Sequence, residues 1–320
     1  MRYSLRHVTR FTYDTPITES MMEARMQPRS DGCQRCLHFA LTPSPSSRVM
    51  MYQDHDGNTV HFFDIPASHA RLTLTAEALV ECTPSPPLPD RLSLDVWDDL
   101  DALADSGECW EYLTPSVFTR ASPLLDDFAR ELTLERGDDP LSTLRRVMRE
   151  IAARFEYKPR STRVDSPIDE ALEARRGVCQ DFAHIFIALA RPLGIPTRYV
   201  SGYLYRDASS LDRSTDGATH AWVEAFLPEI GWIGFDPTNN LIAQDRHIRV
   251  AVGRDYADVP PTRGVYKGVT AVRSELGVAV RVGPAPSHLS SDVVPFTPWM
   301  SREAGVAMPR PDAQQDQQQQ

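Results

Sequence analysis

The sequence predicts an α+β protein in which a small antiparallel β-sandwich precedes a domain built on one buried helix and an antiparallel sheet. Three observations carry that expectation. Residues 1–83 read almost entirely as strand. A proline-dense stretch, TPSPPLPD, then breaks the pattern, and beyond it helix starts recur. Finally, one strongly apolar helix is followed by several strand-like segments.

In the first part, SLRHVTRFTYD, QRCLHFALTPSP, NTVHFFDIP and ARLTLTAEALVECTP alternate or are rich in β-formers, and Asp56-Gly57-Asn58 is a hairpin turn signal. Its histidines (His7, His38, His55, His61, His69) follow no ligand spacing and are expected to be surface or hydrogen-bonded groups. Cys33 and Cys36 form a lone CxxC with no second pair to complete a four-thiolate site. An extended chain places residues three apart on opposite faces, so no metal is expected there.

Residues 84–121 read as a Pro-rich linker and connecting segment, and 122–283 as the core of the second domain. Ser122-Pro123 and Asp139-Pro140 each pair an N-cap with a first-turn proline, and Ser166-Pro167 opens a shorter helix, IDEALEARR. In RRGVCQDFAHIFIALARPLGIP, apolar or small residues recur at Cys179, Phe182, Ala183, Phe186, Ile187, Ala190 and Leu193, which is one buried helical face. Gly177 supplies flexibility before the helix, and Gly194 with Pro196 stops it. TRYVSGYLY, HAWVEAFL, WIGFDPTN and HIRVAVG then read as strands, the middle two as a hairpin. Residues 284–320, rich in Pro and Ser and ending in glutamines, read as a disordered tail.

Composition narrows the function classes. A net charge of −10 argues against a broad nucleic-acid surface. No apolar run approaches a membrane span, and MRYSLRHVTRFTYD lacks the apolar centre of a signal peptide, so a cytoplasmic location without a membrane partner is expected. Five cysteines, an odd number in a long chain, fit reduced thiols better than a disulfide framework.

The chemistry concentrates on three residues. Cys179 falls in the first turn of the buried helix, where unpaired N–H groups and the helix dipole favour an anion. A cysteine so placed more often only fills the core, but the hairpin downstream reverses that expectation. Along the first hairpin strand His220, Trp222, Glu224 and Phe226 share one face, and along the second Trp232, Gly234 and Asp236 do. Opposed residues must sum to an even number, so pairing Phe226 with Trp232 makes His220 the diagonal neighbour of Asp236. A one-residue slip would separate them. In that register Cys179, His220 and Asp236 form a thiol–imidazole–carboxylate relay, with the Cys179 backbone N–H as an oxyanion donor. Trp222 and Trp232 are expected to pack, and Asp181 and His184 to serve local hydrogen bonds. Gln180 could assist the oxyanion.

The segments GVCQDFAHIFIALARPLGIPTRYVSGYL, THAWVEAFLPEIGWIGFDPTN and HIRVAVGRDYADVPPTRGVYKG together resemble the bacterial transglutaminase-like family, and RHVTRFTYDTPITES resembles the β-domain preceding its core. The similarity spans about residues 1–283. It implies the papain-like fold, with nucleophile, base and orienting acid on Cys179, His220 and Asp236. The chain departs from animal transglutaminases in having Gln180 where they usually carry tryptophan, and in lacking their acidic calcium-site clusters and additional C-terminal β-domains.

The expected function is therefore that of a cysteine enzyme acting on amide bonds of a protein or peptide, hydrolysis being favoured over cross-linking because no dedicated amine site is visible. No metal or organic cofactor is implied. The alternatives are a non-catalytic protein- or peptide-binding module on the same scaffold and a metal-dependent hydrolase, the latter without any HxxxH-type pattern. The polar loop 206–218, running straight into His220, is a candidate lid.

Overall fold

Alternating apolar residues in the first part of the chain produce six strands: β1 (Arg2–Ile17), β2 (Glu19–Ala24), β3 (Gln34–Ser44), β4 (Met50–Gln53), β5 (Thr59–Ile65) and β6 (His69–Cys82). The structure, a computed structural model, describes residues 1–207, 212–214, 217–268 and 272–285. Along β6 the side chains of Leu72, Leu74, Ala76, Ala78, Val80 and Cys82 are all buried, the period of two that one face of a sheet requires, and Leu79 is buried on the other face. The Asp56-Gly57 turn lies between β4 and β5 as expected, Gly57 taking a left-handed φ of 72°.

Helices follow the proline-dense stretch: α1 (Val96–Ser106), α2 (Trp110–Leu113), α3 (Pro123–Glu131), α4 (Pro140–Arg154), α5 (Ile168–Ala174) and α6 (Cys179–Ala190). Ser122 Oγ accepts from the Leu125 N–H, and Asp139 Oδ1 accepts from the Ser142 N–H, so both predicted N-caps are made. The connecting segment is more than a linker, since α1 buries Val96, Trp97 and Leu100 against the main core.

The later strands are β7 (Glu156–Tyr157), β8 (Arg176–Gly177), β9 (Thr197–Leu204), β10 (His220–Leu227), β11 (Gly231–Asp236), β12 (Leu241–Ile242), β13 (His247–Gly253), β14 (Thr262–Lys267) and β15 (Ser274–Pro284). An antiparallel sheet of order β12-β11-β10-β9-β13 holds the centre of the second part. Every residue of α6 is buried, because the helix runs between that sheet and the packed helices α3, α4 and α5.

Two strands that the sequence groups with the core return to the first part. β15 pairs with β1 and β14 with β2, giving sandwich sheets of order β15-β1-β6-β3 and β14-β2-β5-β4. Alternation alone says that 274–284 is a strand, but not which sheet edge it completes. The first and second parts also share a core: Tyr3, Leu5, Ala78, Val80 and Cys82 pack in the same apolar cluster as α6. Tyr3 lies against Tyr205 at 4.8 Å between ring centroids, and His7 Nδ1 meets the Tyr203 hydroxyl at 2.8 Å. Residues 286–320, most of the tail, lie outside the described residues.

Candidate active site

The start of α6 is shaped by a cap. The Val178 N–H donates to Asp181 Oδ2 at 2.8 Å, and the Thr162 hydroxyl donates to the same oxygen at 2.6 Å. Gly177 is required here for space rather than flexibility, since a Cβ at that position would come within 2.8 Å of Asp181 Oδ2. Cys179 is the first residue of the helix and is buried. The Gln180 side chain is committed elsewhere, its Nε2 donating to the Val164 carbonyl at 2.9 Å.

The β10–β11 hairpin takes the predicted register, Phe226 opposite Trp232 and Glu224 opposite Gly234. His220 Nε2 lies 2.7 Å from Asp236 Oδ2, and both groups are buried. Asn239 Nδ2 lies 3.5 Å from the same nitrogen, and Cys179 is a further polar group acting on the ring. With Nε2 on Asp236, the nitrogen left to face the sulfur is Nδ1, which is buried and makes no hydrogen bond among the described residues, while Cys179 acts on the ring through its charge. The three residues singled out in the sequence are therefore brought together in space.

The carboxylate is saturated with donors. Oδ1 accepts the backbone N–H groups of Thr238 (3.0 Å) and Asn239 (3.2 Å). Oδ2 accepts from His220 (2.7 Å), Asn239 Nδ2 (2.8 Å) and a second imidazole, His247 Nε2 (3.1 Å). Burial opposes the charged form of Asp236, but His220 and His247 outweigh it and hold the carboxyl well below its usual range. Burial likewise works against a charged His220, yet the Asp236 carboxylate and then the Cys179 sulfur raise its pKa from 6.5 to about 10. His247 is lowered, chiefly by burial, so it donates to Asp236 as a neutral ring.

His247 is the site residue that sequence reasoning missed. It begins β13, which joins the sheet beside β9 and not beside β11, so no hairpin register points to it. Gly202 on β9 helps to bring these groups close. A Cβ there would meet the Trp222 ring at 2.6 Å and the Ile248 carbonyl at 2.2 Å. Trp222 is wholly buried, with its ring 5.2 Å from that of His247, so it packs as expected. Trp232 packs too, between Phe226 and the Arg198 guanidinium, which lies 4.0 Å over its ring.

His220, Asp236 and His247 are also the one group among the described residues whose ligand atoms lie close enough, within 4.8 Å of one another, to be weighed as a metal site. Separations of 2.7 and 3.1 Å are hydrogen-bond lengths, whereas two ligands of one zinc ion, each about 2.0–2.2 Å from it, stand wider apart. The array fits shared protons better than a shared ion. Of the candidate lid, residues 208–211 and 215–216 lie outside the described residues. In the described part, the Arg213 N–H donates to Asn239 Oδ1 at 2.7 Å, so this loop touches the residue that holds Asp236.

Similarity to known proteins extends over most of the chain. The family model of the transglutaminase-like superfamily matches residues 126–237, and that of the bacterial transglutaminase-like N-terminal region matches residues 3–81. An uncharacterized protein of Mycobacterium leprae is 35% identical over 283 residues, covering 88% of this chain and 98% of its own. A protein-glutamine gamma-glutamyltransferase of Pseudomonas aeruginosa is 32% identical over 123 residues, covering 36% of this chain and 18% of its own. A solved structure from Cytophaga hutchinsonii, provisionally described as a cysteine protease, superposes with a TM-score of 0.67 at 20% identity over 91% of this chain and 92% of its own. That last likeness is one of fold.

Proposed function

Because this chain belongs to the transglutaminase-like superfamily, we propose that it is a thiol enzyme cleaving or exchanging amide bonds through a thioester on Cys179. The observation that carries the reading is a single imidazole, His220, placed between a helix-start thiol and a carboxylate held in its ionised form.

With its pKa raised to about 10, His220 already holds the proton of the Cys179–His220 pair when the sulfur attacks the carbonyl carbon. The charge that develops on oxygen is met by the Cys179 N–H, one of those the helix start leaves without an intrahelical partner. The imidazolium then gives its proton to the departing amine, and a thioester remains. In the second half His220 removes a proton from water, the hydroxyl adds to the thioester, and the acid leaves as the thiol is restored. Asp236 stays ionised throughout, fixing the tautomer and supporting the imidazolium.

Substrates of the expected type are peptides, isopeptides or glutamine carboxamides, with hydrolysis preferred. The similarity to a glutamyltransferase supports the rival resolution, in which an amine and not water takes the acyl group. Partitioning of an acylated Cys179 between water and an added primary amine, read by mass, separates the two.

The prior test is reactivity of the thiol. Burial pushes Cys36 and Cys82 up to about 11 and raises Cys109, so these three stay protonated near neutrality. At about pH 6, iodoacetamide is expected to label Cys179 at least tenfold faster than any of them, and His220→Ala is expected to remove that advantage. Equal labelling of all cysteines in the wild-type protein would defeat the reading and favour a binding module.

A further inference from the structure

The proposed mechanism employs one of the two imidazoles on Asp236. We propose that the other, His247, is a positioning residue of the same site, its Nε2–H holding the Asp236 carboxylate and moderating how strongly that carboxylate supports His220. The inference rests on the thiol-enzyme reading and adds to it a group outside the Cys179–His220–Asp236 relay.

The geometry fixes the role. His247 Nε2 is 3.1 Å from Asp236 Oδ2, the same oxygen that His220 meets at 2.7 Å. Its Nδ1 accepts weakly from the Gln244 N–H at 3.4 Å, so the proton belongs on Nε2 and the ring is a donor towards Asp236. The edge-on contact with Trp222 and the close approach at Gly202 leave the ring little freedom to turn. The charged groups around it are His220 on β10, Asp236 on β11, Cys179 on α6 beyond His220, and its chain neighbour Arg246, which pairs with Asp212. Farther along the sheet Glu224 is bound by Arg198 and Arg249. Arg246 and His220 both oppose a positive charge on His247. It therefore acts as a neutral donor.

A carboxylate oxygen shared among three donors offers less charge to any one of them. Deleting the His247 donor concentrates that charge on His220 and makes its imidazolium a weaker acid. A purely structural histidine would alter stability but not this acidity.

The acidity can be read without a substrate. Iodoacetate, an anion, is drawn to a thiolate beside an imidazolium; iodoacetamide, which is neutral, is not. The ratio of the two alkylation rates at Cys179 therefore falls as His220 loses its proton. His247→Phe keeps a ring against Trp222 but has no donor, and it is expected to move that fall upward by about one pH unit. His247→Gln, which retains an N–H, is expected to restore the wild-type midpoint to within about half that shift. His247→Leu gives a second donor-free side chain should phenylalanine fit poorly, and urea midpoints identify any variant that has unfolded. A wild-type step that folded donor-free variants leave in place overturns the role of His247 alone. A wild-type ratio with no step removes the Cys–His pair, and the inference with it.

Discussion

Two fully buried histidines stand near Cys179, and they differ in nearly every property that matters. His184 lies five residues along the same helix, stacked at 3° on Phe118, and its Nε2 accepts the Tyr256 N–H at 3.2 Å. Burial pushes it down to about 3, and the opposing charge of Asp255 does not compensate. His220 is equally buried, yet a carboxylate at 2.7 Å raises it to about 10. Burial is common to both, so it cannot be what makes an imidazole useful as a base. The deciding feature is close ionised partners that outweigh burial: His220 has Asp236 and Cys179, whereas His247, on the same carboxylate but facing His220 and Arg246, is still lowered. The buried carboxyls repeat the lesson. Asp181, with two hydrogen bonds, is raised by burial to about 6, whereas Asp236, with five donors, is lowered.

The largest effect expected from this contrast is on catalysis. His220→Gln should reduce amide cleavage or exchange about 10³-fold, within the range attributed to general acid–base groups. His184→Gln, which keeps an acceptor for the Tyr256 N–H, should stay within about threefold of wild type, since that residue holds no proton to transfer near neutrality. Steady-state rates on a peptide amide measure both. Comparable losses in the two variants would mean that the distinction drawn from their partners is false.

The same contrast has a stability signature. His184 binds its proton less readily in the fold than unfolded, so between pH 6.5 and about 3 the unfolded chain holds more protons and stability falls as pH falls. His220 behaves oppositely: its contribution is complete below 6.5 and is lost as pH rises from there towards 10. Each unit of separation is worth about 1.4 kcal/mol. Urea midpoints across pH should show His184→Gln flattening the acid side of the profile and His220→Gln the alkaline side. Changes on the opposite sides, or none, would contradict the assignments.

How much of this was legible beforehand follows from where each contact lies in the chain. Cys179 is visible in the sequence because helical periodicity and the Gly194–Pro196 stop locate the helix, and the His220–Asp236 pairing is visible because a hairpin's register is a local matter. His247 was not visible, since β13 reaches the site by adding to β9 on the far side of the sheet. For the same reason β14 and β15 looked like part of the core. Strand character is written in alternation, but the partner of an edge strand is decided by packing across distant segments. Helix α1, with Val96, Trp97 and Leu100 buried on one side, was masked by the prolines before it.

Gln180 gives the smallest and sharpest test of the comparison between groups that touch the reaction and groups that hold the frame. It sits beside Cys179, as an oxyanion donor would, but its Nε2 is spent on the Val164 carbonyl. Gln180→Ala should therefore cost about 1 kcal/mol of stability, the net worth of one hydrogen bond, and change turnover by less than about threefold. A true oxyanion donor would instead cost about 10²–10³ in turnover with little change in stability. Urea unfolding and turnover measured on one preparation separate the two. A hundredfold loss would mean that the amide leaves Val164 when substrate binds. In that case adjacency to the nucleophile would outweigh the partner seen in the resting structure.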